Sequence, residues 1–468
     1  MLIFYDITRL VNRRHQKYAT GIDRIDINYA CFLSKTQNVH FVYQHNNNFK
    51  VLLDKGLIAF LYDLWILKES KIDTDIEVLF ILDVLKGQDV LSLQSFHKCR
   101  EKKFYINVSH YFFNDFDAFL KFKRTGQLIF ISYIHDLIPV EYPEYTKSKN
   151  KNYYSSLFSL ALCLSDVIFT NSQATYDSII RFCSVNKISL PDIYINHIGV
   201  EPKFIEDSFK HQDKFFSDNC EYFVYVSSID ARKNHILLLN IWREWSREQI
   251  KIPKLVFIGN RGGGNECVCN FLDNALFIDN YIIELNNLDD DQMMQVVKHS
   301  LGVLYPSFAE GWGMPIAEAI ALNKPVICSD IKAHRESGQG LVTYLDPLDG
   351  LGWKYHIKHL YSLHQLPDYD KSVLLYSNYI FPTWANHFEF IMSKLDVVDY
   401  TEPMMDVPEN IILNMHIDED NIDWLSKIFM RYLSEKKVRK FIQNPIMFFE
   451  DSKFFMFKKF AAFLKRYK

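Results

Sequence analysis

The sequence predicts an α/β fold with two Rossmann-like, doubly wound domains that face a shared cleft, followed by a helical C-terminal extension. Three observations lead to this prediction. The chain has 468 residues, more than one hydrophobic core usually organises, and 48% of them are hydrophobic. Short runs rich in β-branched and aromatic residues alternate with longer helical stretches, which is typical of parallel sheets. This alternation stops near residue 200 and then resumes.

Twelve short runs fit buried strands, and they fall into two groups. The first group comprises residues 2–5, 39–43, 78–82, 104–108, 128–134 and 167–170. The second group comprises residues 222–226, 255–258, 275–278, 302–305, 326–328 and 342–345. Each group predicts one sheet, because strands that alternate with helices pair in parallel.

The segment between the two groups has the composition of a linker. It contains Gly199 and Pro202, and a polar, charged stretch follows. We therefore predict domains at residues 1–200 and 201–395, with the extension at 396–468. Doubly wound domains bind ligands beyond the carboxyl ends of their strands, so two such domains facing each other create one deep site.

Charge and cysteine usage narrow the class of protein. The formal net charge is −4, and no basic face suits a nucleic acid. The chain shows neither a secretory leader nor about twenty successive apolar residues, and its cysteines lack disulfide spacing, so we expect a cytoplasmic location. Cys267 and Cys269 form an isolated pair that we interpret as two loop thiols, with no metal bound.

The most informative segment is residues 305–325, which follows a predicted strand and opens a helix. Gly311 and Gly313 allow close backbone approach, and Pro315 suits the first helical turn. The N–H groups at such a helix start favour an anion. Glu310 precedes the helix and Glu318 lies one turn inside it, where ionised carboxylates can accept hydrogen bonds from sugar or ribose hydroxyls.

Three further elements follow strands and reach the same predicted cleft. Ser228, Arg232 and Lys233 lie between a strand and a helix, where the two cations can neutralise phosphates. Gly21 lies in a loop after the first strand, and His135 follows the strand at 128–134. Taken singly, these residues also fit an ordinary turn, a solvated basic pair and a capped loop histidine.

Taken together, the segments resemble retaining, GT-B-fold glycosyltransferases of the group 1 type. Glu310 and Glu318 fit the family's E-x7-E signature, and residues 18–24 and 232–234 resemble its Thr-Gly-Ile-x-Arg and Arg-Lys-Asn elements. The match extends over about residues 1–395 and includes Thr383 and the following helix, which in the family crosses back toward the first domain.

The resemblance implies roles for individual residues. Glu310, His135, Lys233 and Arg232 are implied as the catalytic group, with Glu310 near the donor sugar and the two cations on its diphosphate. Glu318 is implied to hold the ribose. The remaining donor-binding candidates are Gly21, Gly311, Trp312, Gly313, Met314, Pro315 and Ser228.

The implied reaction is transfer of a hexose from a nucleotide-sugar to a glycan acceptor in capsule or O-antigen synthesis. Residues 310–315 are similar to the sequence motif that is common among mannosyltransferases, which favours GDP-mannose over a UDP-hexose as the donor. No cofactor or metal is expected, because we find no Asp-x-Asp element of the kind that holds a divalent ion beneath a nucleotide diphosphate, and residues 289–291 read as a helix cap. Two alternatives stay open: another GT-B reaction such as epimerisation, which would need no acceptor, and a non-catalytic scaffold, which would bind no nucleotide.

The last residues of the chain form a basic and aromatic segment. Within residues 452–468, apolar and cationic side chains recur on different stripes at helical spacing. Such a helix either contacts an anionic membrane surface peripherally or packs on the enzyme itself. Membrane contact suits a lipid-linked acceptor.

Overall fold

The computed structural model of the protein describes twelve stretches of the chain. They are residues 1–13, 19–36, 38–45, 48–51, 88–90, 101–109, 116–146, 153–206, 215–216, 220–248, 251–367 and 375–402. All of them belong to one compact unit, Met1–Asn414. The predicted strand at 78–82 and the extension beyond residue 402 lie outside these stretches. Within them, no helix combines the length and apolar character that crossing a membrane requires.

The first sheet contains eight described strands in the order β4-β3-β2-β1-β5-β6-β7-β8. From β2 through β1 to β8 the strands pair in parallel, whereas β3 pairs antiparallel with both β2 and β4. The strands are β1 Leu2–Asp6, β2 Val39–His45, β3 Asn48–Val51, β4 Gln88–Asp89, β5 Lys103–Asn107, β6 Leu128–Ile134, β7 Val167–Thr170 and β8 Asp192–Ile195.

The second sheet contains six described strands, all parallel, in the order β11-β10-β9-β12-β13-β14. Counted from its own first strand, this is the Rossmann order 3-2-1-4-5-6. The strands are β9 Tyr222–Val226, β10 Lys254–Ile258, β11 Ile282–Leu285, β12 Val303–Tyr305, β13 Val326–Ser329 and β14 Thr343–Leu345.

Helices connect the strands of both sheets. We call the part of the chain that forms the first sheet the first half and the part that forms the second sheet the second half. The helices of the first half are α1 Thr8–Arg13, α2 Gly21–Ser34, α3 Phe116–Gly126, α4 Ile138–Glu141, α5 Tyr153–Leu164 and α6 Gln173–Asn186. Those that follow are α7 Pro202–Ile205, α8 His235–Glu248, α9 Glu266–Asn274, α10 Ile278–Tyr281, α11 Asp290–Lys298, α12 Met314–Ala321, α13 Lys332–Ser337, α14 Gly350–His364 and α15 Trp384–Val397.

Local chemistry accounts for where the site-bearing elements begin. All seven residues of β6 are buried, which suits an apolar run covered on both faces. At the start of α2, Thr20 and Asp23 form a capping box, in which the N–H and the hydroxyl of Thr20 donate to Asp23 Oδ2 at 2.8 and 2.6 Å, and this fixes where the helix begins. Asp289 caps α11 in the same way through Gln292, which confirms the predicted helix cap.

In both sheets the strand order reverses next to the strand that comes first in the chain. In the second sheet this point lies between β9 and β12, so the segments 227–235 and 306–315 leave from adjacent carboxyl ends. The side chains of Tyr225 and Ser307 join these ends through a 3.1 Å contact between their hydroxyl oxygens. Ligands of doubly wound sheets bind at this switch point.

Two local predictions were wrong. The run at 275–278 is not a strand: it leads into α10, and the strand β11 follows at Ile282–Leu285. Cys267 and Cys269 are not in a loop, because both lie in α9. Strands β3 and β4 are short and polar, and β8 has no fully buried residue; all three were missed.

Two segments connect the halves. The last strand of the first sheet ends at Ile195 and the first strand of the second begins at Tyr222, so the predicted boundary at residue 200 falls between them. Val200 pairs with Thr383, and its N–H donates to Pro382 O at 2.9 Å. The chain then returns to the first half, as predicted, where Phe388 of α15 stacks on Phe32 of α2 at 4.1 Å.

Candidate functional site

The loop before α12 is shaped by two glycines. Gly313 caps α12 with φ +101°, and a Cβ there would lie 2.9 Å from Ser337 Oγ, so only glycine fits without strain. At Gly311 a Cβ would overlap the carbonyl oxygen of His135 in the first half. Pro315 stands in the first turn of α12. The loop is therefore pressed against the first half and ends at an open helix start.

The carbonyl of Gly311 is held by the first half. Ser172 Oγ donates to it at 2.5 Å and Thr175 Oγ1 at 3.3 Å. Thr175 Oγ1 also lies 3.1 Å from the carbonyl of His135. These contacts fix the depth at which the loop before α12 enters the space between the two halves.

Glu310 lies between two cations of its own half. Arg232 Nη1 donates to Glu310 Oε2 at 2.8 Å and to Ala309 O at 3.0 Å, and Lys233 Nζ donates to Glu310 Oε1. The Lys233 and Glu310 side chains are each 12% exposed. The N–H of Phe308 donates to Arg232 O at 2.8 Å, which ties the two loops together. The residues that the sequence predicts to bind the diphosphate and the sugar therefore form one cluster.

Burial and the neighbouring charges together determine the pKa values of the groups in this cluster. Burial alone would raise the pKa of Glu310, but Lys233 and Arg232 together hold it well below its usual range. Burial and the neighbouring Arg232 lower the pKa of Lys233, while Glu310 opposes them. Burial also raises the pKa of Asp136, against the effect of Arg232. Glu310 is thus ionised at neutral pH, as Arg232 is.

Glu318 has a different partner. Arg24 Nη1, from α2 in the first half, donates to Glu318 Oε1 at 2.8 Å. The two side chains are 18% and 9% exposed respectively. Burial raises the pKa of Glu318, Asp290 and Glu201 act in the same direction, and Arg24 opposes them. Burial raises the pKa of Tyr305, and both Glu318 and Glu310 raise it further. The two carboxylates therefore lie close enough to influence the same side chain.

Two helix starts meet between the halves. Gly21 is the first residue of α2 and Met314 is the first residue of α12. A Cβ on Gly21 would lie 3.9 Å from Met314 Sδ, which is van der Waals contact. Each helix start carries a partial positive charge of about +0.5. Together with Lys233 and Arg232 they form a cationic rim that suits a diphosphate.

His135 lies at the carboxyl end of β6, as predicted. Its Nε2 and the carbonyl oxygen of Val108 lie 2.7 Å apart, and the residue is 3% exposed. Burial lowers the pKa of His135 to about 4, so the ring is neutral at physiological pH. Its backbone carbonyl meets the Gly311 loop, which brings His135 to the same inter-half gap as Glu310.

Two predicted donor-binding residues have other partners. Trp312 is buried and stacks on His197 with ring centroids 4.5 Å apart, while His197 contacts Glu336 at 2.8 Å. Ser228 is exposed, and its hydroxyl donates to Asp230. The structure therefore places Trp312 in the packing between the halves and pairs the Ser228 hydroxyl with Asp230.

The sequence prediction omitted Arg24 and His334. Arg24 is the last residue of the Thr-Gly-Ile-x-Arg element, which was its available signal. His334 is buried beside Gly313, and burial lowers its pKa to about 4 although Glu310 opposes the shift. His334 lies in α13 after β13, and no motif in the sequence singles it out.

Comparisons with known proteins show which sequences the chain resembles. Residues 206–339 match the family described as glycosyl transferases group 1. Over 256 residues the chain is 25% identical to the O-antigen chain mannosyltransferase RfbU of Salmonella typhimurium, covering 53% of this chain and 63% of that protein. Over 176 residues it is 24% identical to the serotype-specific mannosyltransferase WbdA of Escherichia coli, covering 38% of this chain and 21% of WbdA. The chain thus matches less than two thirds of the length of either relative.

Solved structures match over most of the chain. The Anabaena HepE structure in complex with UDP and glucose superposes with a TM-score of 0.52 at 14% identity, covering 85% of this chain and all of HepE. Sucrose-phosphate synthase from Thermosynechococcus elongatus gives a TM-score of 0.53 at 13% identity and covers the same share of this chain. The two-sheet GT-B fold is confirmed.

Proposed function

We propose that this chain, which carries a group 1 glycosyltransferase domain at residues 206–339, is a retaining glycosyltransferase that moves a hexose from a nucleotide-sugar to a glycan acceptor during surface polysaccharide synthesis. The observation that carries the proposal is the convergence of two cations and two helix starts. Lys233 and Arg232 meet at Glu310, while Gly21, at the start of α2, lies within van der Waals reach of Met314, at the start of α12. A nucleoside diphosphate has the charge and length to use all of them.

The same groups favour departure of the phosphate. The bond between the anomeric carbon and the phosphate oxygen breaks, and the acceptor hydroxyl oxygen forms the new bond on the same face. The hydroxyl proton passes to the leaving phosphate oxygen, whose charge Lys233, Arg232 and the helix starts stabilise. Glu310 stays ionised next to the cationic rim and can balance positive charge at the anomeric carbon. The neutral His135 ring donates its Nε2–H to Val108 O, so its Nδ1 can only accept a hydrogen bond from a sugar hydroxyl.

We also propose that the reaction needs no resident metal ion. Two buried or half-buried cations and two helix starts supply positive charge at one place, which is the role that a divalent ion plays in other nucleotide-sugar sites. Support comes from their contacts with the Glu310 loop, which hold them in place without a further ligand.

For the donor we propose GDP-mannose, with a UDP-hexose as the second candidate. Support comes from the names of the relatives, which are O-antigen mannosyltransferases, and from the residues at 310–315. A thermal-shift screen against GDP-, UDP- and dTDP-sugars tests the assignment, and we expect the largest shift with GDP-mannose. If no nucleotide or nucleotide-sugar raises the unfolding temperature or binds in calorimetry, the proposed function is wrong.

We propose a lipid-linked glycan as acceptor and peripheral contact with the inner face of an anionic membrane through residues 452–468, which lie outside the described residues. Support comes from the alternation of lysine and aromatic side chains in that segment. The test is flotation of the full chain with anionic liposomes against a chain truncated before Asp451. Equal flotation of the two would show that the segment is not the anchor.

A further inference from the structure

The ion pair between Arg24 and Glu318 joins the two halves at the proposed nucleotide site. Arg24 lies one turn inside α2 from Gly21, and Glu318 lies one turn inside α12 from Met314. The 2.8 Å bond between Nη1 and Oε1 therefore lies about one turn from each of the two helix starts. Arg24 Nη2 is buried and has no hydrogen-bond partner in the part of the chain that the structure describes. A donor is thus available beside the carboxylate.

The two carboxylates near Glu318 act against its ionised form. Glu201 precedes α7, and Asp290 lies in the first turn of α11; both raise the pKa of Glu318. Lys203 of α7 is bonded to Asp290 at 2.7 Å and so does not pair with Glu318. Tyr305 of β12 is buried with a raised pKa, which leaves its hydroxyl neutral. Among the described residues, Arg24 alone opposes burial at Glu318.

We propose that Arg24 is a positioning residue that orients Glu318 for the ribose of the donor and keeps it ionised. The inference rests on the proposed function, because it assumes that Glu318 receives the ribose hydroxyls. An ionised carboxylate accepts two hydroxyl hydrogen bonds, whereas a protonated one competes as a donor. Since Arg24 belongs to the first half and Glu318 to the second, the nucleotide site is complete only when the halves are together.

The test is calorimetric titration of the full chain with GDP and with UDP at three pH values. For Arg24→Gln we expect affinity about tenfold lower than wild type near pH 6, with the difference shrinking as Glu318 ionises toward pH 9. Arg24→Lys keeps the charge, so its affinity should follow the pH profile of the wild type. Arg181→Gln, which removes an exposed arginine of the same half that pairs with Glu141, is the matched control and should change nothing.

A second variant tests the ionisation of Glu318 by changing a different neighbour. Asp290→Asn removes a negative charge that disfavours the ionised Glu318, so the fall in GDP affinity on acidification should move to lower pH. This variant retains Arg24 and keeps the inference testable if Arg24→Gln does not fold. A loss in Arg24→Gln that is equal at every pH, together with an unshifted profile in Asp290→Asn, would overturn the role of Arg24.

Failure of the proposed function has a different signature. If Glu318→Gln binds GDP and UDP as tightly as wild type, Glu318 does not hold the ribose. The assignment of the nucleotide site is then wrong, whatever the Arg24 variants show. If Glu318→Gln weakens binding at all pH values while Arg24→Gln matches wild type, the site stands and only the positioning role is lost.

Discussion

Replacing Lys233 by Met tests the leaving-group stabilisation on which the proposed reaction depends. The Lys233 ammonium bonds the Glu310 carboxylate and is 12% exposed, so it acts in a largely dehydrated environment. The side chain of Met has a similar length but carries no charge. Arg232 remains bonded to Glu310 at 2.8 Å, so Glu310 keeps one cation and the loop keeps one anchor.

The expected magnitude follows from the loss of one fixed donor at the leaving phosphate. Such a loss typically costs about 2.7 to 4 kcal/mol of transition-state stabilisation, which is about 100-fold to 1000-fold in kcat. Ground-state binding of the nucleoside diphosphate should fall less, by about tenfold, because Arg232 and the two helix starts still contact the phosphates.

The assay measures release of nucleoside diphosphate from the donor that the thermal-shift screen identifies, with membranes from a polysaccharide-producing cell as acceptor. Calorimetry gives the binding term separately. Lys358→Met is the matched control, because Lys358 bonds Glu248 at 2.7 Å on the far helices α14 and α8 and its loss should leave kcat unchanged. A kcat for Lys233→Met within about threefold of wild type would refute the leaving-group role, since it corresponds to less than 1 kcal/mol.

Three further predictions concern the loop glycine, a buried carboxyl group and the metal. Gly313→Ala forces a side chain into φ +101° and to within 2.9 Å of Ser337, so the free energy of unfolding should fall by about 1 to 3 kcal/mol in denaturant titrations. Gly264→Ala, at φ +68° with nothing within 4 Å, isolates the backbone strain; an equal loss in both would contradict the contribution of crowding. Burial raises the pKa of Asp26 to about 8, so the folded protein holds a proton that the unfolded chain releases above about pH 4. Because the folded protein binds this proton more tightly than the unfolded chain does, the proton stabilises the fold at low pH, and this stabilisation is lost as pH rises toward 8. The unfolding temperature of wild type should therefore fall relative to that of Asp26→Asn between about pH 5 and pH 8.5, and parallel curves would contradict the assignment. Finally, donor turnover should be unchanged after incubation with EDTA and dialysis, and a loss restored by Mg²⁺ or Mn²⁺ would contradict the metal-independent proposal.

Much of the fold could be predicted because buried parallel strands stand out as apolar runs. The predicted strand at 128–134 coincides with β6, whose residues are all buried, and β9 and β7 were predicted with their observed bounds. The strand β11 was missed because only its first residue is fully buried and it contains Glu284, whereas the preceding run at 275–278 is more apolar. Apolar content therefore identified central strands better than edge strands.

The candidate site could be predicted only in part, for a related reason. Glu310, Arg232 and Lys233 belong to segments that leave from adjacent strands, so their association follows from the topology. Arg24 and Glu318 are 294 residues apart and belong to different halves, and their bond depends on how the halves pack. The stacking of Trp312 on His197 has the same origin, which is why Trp312 appeared from the sequence to be a ligand-facing residue.

The two carboxylates of the E-x7-E signature differ in what controls them. The charge of Glu310 is maintained by Lys233 and Arg232, which belong to its own half, so its ionisation does not depend on the first half. Glu318 is opposed by burial, Asp290 and Glu201 and is supported by Arg24 from the other half. Separation of the halves would therefore leave Glu310 ionised and remove the cation that supports Glu318. Environments that push the pKa values of two similar groups in opposite directions assign them different tasks. This difference favours a constant electrostatic role for Glu310 and a binding role for Glu318 that is completed only when the two halves meet.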